Sequence, residues 1–177
     1  MFRQIPILVV GLAFMAGADA SAQVKAGLNE INGSATVQGT KAEGSATFTV
    51  ATFSGAYGRF ISDAFELGPQ LSIVKAEGTD ATGTINGFAA VHFAPDSPVV
   101  PYVGVQVGRG FGQSSAIADN PWNFGFFGGI KGFVGPSGAI TVQPFWTRYT
   151  TRNPVFDTST HTDNFGVSIG VSLFFGE

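Results

Sequence analysis

The 177-residue chain has no cysteine and little charge. Without cysteine there is no disulfide framework of the kind that staples small secreted domains, and no thiolate metal site. Only 12% of residues are charged, against about 25% in ordinary soluble domains. Nine basic against twelve acidic residues give a net charge of −3. That excludes the basic patch a nucleic-acid binder needs to displace phosphate counterions. Long apolar runs are missing too. Beyond residue 22 no segment is apolar over the ~18 residues that suggest a helical membrane span. What is abundant is glycine, with 25 residues, and phenylalanine, with 18. Glycine is at about twice its usual ~7% share. An aromatic, glycine-rich, charge-poor chain fits an all-β protein whose outside faces something other than water.

Residues 1–22 read as a cleaved signal peptide. Arg3 supplies a positive start, and Ile7 to Ala18 is apolar but too short to span a bilayer as a helix. Ala20-Ser21-Ala22 offers small residues for cleavage before Gln23, with Ala18-Asp19-Ala20 as the competing site and a retained membrane anchor as the alternative. Residues 23–177 then form one domain. Export without cysteine points to a bacterial envelope protein.

That domain alternates with period 2, the repeat of a strand. The last segment is the clearest: Phe165, Val167, Ile169, Val171, Leu173 and Phe175 alternate with Gly166, Ser168, Gly170, Ser172 and Phe174. One face is large and apolar, the other mostly small or polar, and neither carries charge. The same pattern predicts strands around residues 28–39, 46–60, 65–73, 84–93, 102–108, 122–134 and 139–151. In 46–60, Phe48 and Val50 are out of step with Phe53 and Tyr57, which suggests a bulge. Tight turns are expected at 61–64, 95–98 and 135–138, and polar connections, two of them longer than the turns, at 40–44, 77–81, 113–120 and 151–162.

A sheet with one face toward lipid leaves no partner for open N–H and C=O groups, so it must close. The predicted fold is an all-β, eight-stranded, antiparallel up-and-down transmembrane β-barrel with short periplasmic turns and outer loops. Eight strands enclose a space that side chains fill, and Phe88, Tyr102 and Phe127 are expected to obstruct it. Glu66 and Lys131 lie on the inward face near turn ends, where they are candidates for a lumen ion pair. Aromatic girdles are expected, with Phe60, Phe65, Phe93, Phe133 and Phe175 by the turns and Tyr57, Trp122 and Tyr149 toward the loops.

The chain resembles the eight-stranded outer-membrane β-barrel family, the OmpA/OmpX-like transmembrane domain, over essentially its whole mature length. Gly58-Arg59-Phe60-Ile61-Ser62-Asp63 followed by Phe65-Glu66-Leu67-Gly68 is similar to that family's strand–turn–strand unit. Ser168, Gly170, Leu173 and Phe175 resemble the terminal signal read by the barrel-assembly machinery, although this chain continues with Gly176 and Glu177.

Chemistry is sparse. His92 has no serine on its strand to serve as nucleophile. His161-Thr162-Asp163 with Ser159, or a metal set of Asp157, His161 and Asp163, reads better as a solvated loop. Gly108-Arg109-Gly110-Phe111-Gly112 has no helix behind it and fails as a phosphate cradle. No catalytic residue, cofactor or metal is assigned. Arg109, Arg148 and Arg152 fall toward the loops as candidate lipopolysaccharide contacts. The expected function is a monomeric, non-enzymatic envelope or surface component acting through its loops. The alternatives are a narrow channel or hydrophobic-ligand transporter, a lipid-modifying enzyme, and a soluble periplasmic barrel.

Overall fold

The computed structural model describes residues 24–40, 48–76, 81–112, 120–153 and 155–176. The expected signal segment and most of three loops lie outside these residues. The strands are β1 (Asn29–Thr40), β2 (Phe48–Phe60), β3 (Phe65–Ala76), β4 (Thr82–His92), β5 (Val99–Phe111), β6 (Trp122–Gly135), β7 (Gly138–Asn153) and β8 (Thr158–Phe175). Each pairs antiparallel with its sequence neighbours, and β1 pairs with β8 to close the barrel. The closing seam runs from Asn29↔Phe175 to Ala35↔Ile169, whereas β7 and β8 stay paired up to Asn153↔Thr158.

Alternation puts the apolar set outside. Val103, Val105 and Val107 on β5 are each about half exposed, as are Ile169, Val171 and Leu173 on β8. Leu67, Leu71, Ile73, Ile85 and Phe126 continue the belt around the wall. The inward positions hold Asn32, Gln70, Thr84, Asn86, Thr141 and Ser172, all buried or partly buried. This inverts the soluble arrangement, in which the large apolar face is the one shielded from solvent. Arginine at Val105, mid-wall between Ala89 and Phe126, is therefore expected to cost about 2–4 kcal/mol of folding free energy in a bilayer. Urea unfolding in lipid vesicles measures it, and a cost below about 1 kcal/mol would contradict a lipid-facing belt.

The structure differs from the sequence reading in several details. The bulge expected in β2 is not there: β1 and β2 pair without a shift from Asn29↔Arg59 to Thr40↔Phe48. The irregularity lies in β6, between Phe133 and Gly135. Residues 158–162, expected as loop, belong to β8 and pair with the far end of β7, from Tyr149↔Thr162 to Asn153↔Thr158. These rungs stand beyond the belt, where a two-strand ladder needs no apolar face to persist, so hydropathy alternation does not mark them. Phe60 and Phe133 are not girdle residues; both point inward and are buried. Tyr149 also faces the lumen, where it lines the wall near the loops. Tyr57 sits at the turn end, opposite Ile31, rather than toward the loops.

The turn end is sealed. Phe60, Val100, Phe133, Ala139 and Phe174 form an apolar plug across the barrel, and Val24 joins it at 1% exposure. Residues 24–28 cross the mouth as a strap. The Val24 N–H donates to the Pro95 carbonyl (3.2 Å), the Ala26 N–H to Asp63 Oδ1 (2.9 Å), and the Gly27 N–H to the Phe60 carbonyl (2.8 Å).

Candidate functional site

Above the plug lies the lumen's charged layer. Lys131 Nζ on β6 contacts Glu30 Oε2 on β1 and lies 3.2 Å from Glu66 Oε2 on β3. All three side chains are about 95% buried or more. Ser172 Oγ donates to the other Glu30 oxygen at 2.7 Å. The rings of Tyr102, Phe60 and Phe174 surround the ammonium at 5.2–5.7 Å, placing a cation over aromatic faces. His92 completes the layer, stacked on Tyr102 and tilted against Phe60, with Nε2 3.4 Å from Glu66 Oε2. Two carboxylates face one ammonium, so full ionisation leaves one negative charge inside the wall. Glycine makes room for this layer. A Cβ at Gly58 would run into the Glu66 carboxylate, and one at Gly104 would run into the Phe127 ring.

Glu66 and Lys131 thus meet in the lumen. The sequence reading missed Glu30, although it shares the inward parity of Asn32 and Ser34. It also left His92 out of the layer, for lack of a serine. Above the charges, Phe88, Phe127 and Tyr102 pack edge-on at 6.2–6.3 Å between ring centres. Among these groups is a small cavity of about 50 Å³, enough for a water or two at ~30 Å³ each.

The loop half of the lumen is different. A cavity of about 310 Å³ is lined by uncharged side chains from every strand but β6, including Thr52, Gln70, Ser72, Asn86, Thr147 and Tyr149. Gln106 Nε2 donates to Thr147 Oγ1 (3.1 Å), and Ser54 and Ser72 share a hydrogen bond of 2.8 Å across β2 and β3.

On the outside, Arg148 forms a bidentate pair with Asp163 (2.7 and 2.8 Å) across β7 and β8. The Arg148 guanidinium holds the Asp163 carboxyl below the usual carboxylate range, mainly through this hydrogen bond. The pair stands just beyond Trp146 and Phe165, where charge has left the hydrocarbon. Farther out, Arg152 pairs with Asp157 at 2.7 Å, and His161 Nδ1 lies 3.0 Å from Thr150 Oγ1. Arg109 is exposed on β5, its guanidinium 5.4 Å from the Trp122 ring centre. The three arginines do not form one cluster: Arg109 neighbours Ile85 and Trp122, while Arg148 and Arg152 share the β7–β8 hairpin. Of the terminal-signal residues, Leu173 and Phe175 face outward and Ser168 and Gly170 inward. Among the described residues no group of three or more His, Asp or Glu side chains is arranged to hold a metal.

A closed antiparallel barrel of eight strands, apolar outside and polar within, defines an outer-membrane β-barrel. Solved structures bear the same fold. Neisserial surface protein A matches with a TM-score of 0.57 at 18% identity, over 85% of this chain and 98% of that one. The outer membrane protein OprG from Pseudomonas aeruginosa matches at 0.54 and 15% identity, over 90% and 100%. The outer membrane protein AlkL, determined in DMPC lipid bilayers, matches at 0.53 and 18% identity, over 91% and 95%. No family model and no curated protein sequence matches the chain.

Proposed function

We propose that this outer-membrane barrel is a non-conducting, non-enzymatic envelope component that presents its β7–β8 hairpin at the cell surface. The carrying observation is that hairpin. Its rungs continue beyond the apolar belt, braced by Arg148–Asp163 and Arg152–Asp157. At its tip, Asn153 Oδ1 accepts the Val155 and Phe156 N–H groups at 3.0 and 3.2 Å. The plug, the charged layer and the aromatic layer, stacked in the lumen, favour this reading over a channel. Against catalysis at His161 stands the use of Asp163 by Arg148, which leaves the His-x-Asp pair without its orienting acid. Pairing of β1 with β8 from Asn29 to Ala35 closes the sheet through its turn half, in keeping with a monomer. Arg109 is the better candidate for a lipopolysaccharide phosphate, because Arg148 and Arg152 already hold carboxylates.

The absence of native cysteine makes the test clean. In Ser159→Cys, a membrane-impermeant maleimide added to intact cells is expected to label the protein, and in Ser62→Cys it is expected not to. Purified barrel in planar bilayers should give no defined conductance steps. Labelling only at residue 62, or regular single-channel steps, would overturn the reading.

A further inference from the structure

Among the described residues, the charge in the lumen is confined to its lower layer. Glu30, Glu66 and Lys131 line the small cavity beside the plug, and among the described residues no Asp, Glu, Lys or Arg lines the 310 Å³ chamber above. That chamber falls at the lower end of the ~300–1,000 Å³ range of ligand pockets. Its walls are hydroxyls and carboxamides, groups that donate and accept together, with Phe145 and Tyr149 of β7 adding ring surface. The polar wall is incompletely satisfied. Asn86, only 4% exposed, lines the chamber, and its Oδ1 has no hydrogen-bond partner. Its Nδ2 makes only long contacts, 3.4 Å to Gln70 Oε1 and 3.4 Å to Thr84 Oγ1. Its Oδ1 lies over Gly108, shielded from the chamber, so the amide must swing inward before a ligand that both donates and accepts can complete its bonds.

We propose that the loop-half chamber binds a small, uncharged, polyhydroxylated solute of about one sugar ring. Hydroxyls around such a ring match the mixed donor and acceptor wall, and its C–H face suits Phe145 and Tyr149. A charged solute of the same size finds no counter-charge on that wall and loses its hydration without compensation. A free amino acid is disfavoured for the same reason at both ends. The plug closes the chamber from the turn end, so a ligand enters and leaves from the loop half rather than passing through. This inference does not depend on what the outer hairpin contacts.

The test is a titration of the full barrel in lipid nanodiscs, followed by backbone amide NMR shifts, with glucose, N-acetylglucosamine, gluconate and glycine as probes. One or both neutral sugars should give saturable shifts at inward-facing amides of β3, β4 and β7 in the millimolar range. Gluconate and glycine should bind at least roughly tenfold more weakly. Ser72→Phe, which fills the chamber, should abolish the shifts while heat-modifiable gel mobility shows a folded barrel. If that variant does not fold, Asn86→Leu serves, because it removes the unsatisfied amide and keeps the size. Absence of saturable shifts with both sugars would show a water-filled vestibule only. Equal binding of gluconate, or sugar shifts that survive in a folded chamber variant, would equally overturn the proposal.

Discussion

Lys131→Met is expected to destabilise the barrel by about 3–5 kcal/mol, the usual cost of removing one partner from a buried ion pair. Lys131 is the cation shared by Glu30 and Glu66, and its side chain is 4% exposed. Without it, two carboxylates face each other under rings that offer no solvation. The companion experiment separates charge from packing. Adding Glu30→Gln and Glu66→Gln to Lys131→Met removes both stranded charges and should recover most of the loss, since replacing a whole buried ionic group is often nearly neutral. Equilibrium urea unfolding in lipid vesicles, followed by the fluorescence of Trp122 and Trp146, reads both variants. A loss under about 1 kcal/mol for Lys131→Met would mean that water or lumen rearrangement compensates the layer.

Phe60→Ala should cost a similar amount, about 3–5 kcal/mol. Its ring is fully buried, tilted against His92 at 5.0 Å and Phe174 at 6.3 Å, beneath the Lys131 ammonium. Truncation therefore leaves a void in the plug and removes one face of the cation's aromatic enclosure. Phe156→Ala is the control. That ring is 69% exposed at the hairpin tip, and its loss should change stability by no more than about 0.5 kcal/mol. Comparable losses for the two variants in the same unfolding assay would deny the plug its structural role.

Much of the barrel is legible along the chain. The alternation of Val103, Val105 and Val107 with Tyr102, Gly104 and Gln106 separates lipid face from lumen, because parity in a strand is a local property. Closure follows from that face, since lipid cannot satisfy an open edge. Short connections at one end and longer ones at the other set the ends apart. The same logic places Glu66 and Lys131 inside. It stops short of the hairpin above Arg148, whose rungs lie beyond the membrane and lose the apolar signal while keeping their ladder.

What the chain alone determined, then, is which way each side chain points, because the pleat imposes it residue by residue. Height within the wall is another matter. Whether Glu30 reaches Lys131, 101 positions away, depends on the stagger accumulated around eight tilted strands, and no local pattern records that sum. Only the closed barrel sent Phe60 and Phe133 into the plug and drew Val24 across the mouth from outside any strand. Among the described residues, the same accumulated stagger gathered the lumen's charge into one layer and left the wall of the chamber above it neutral.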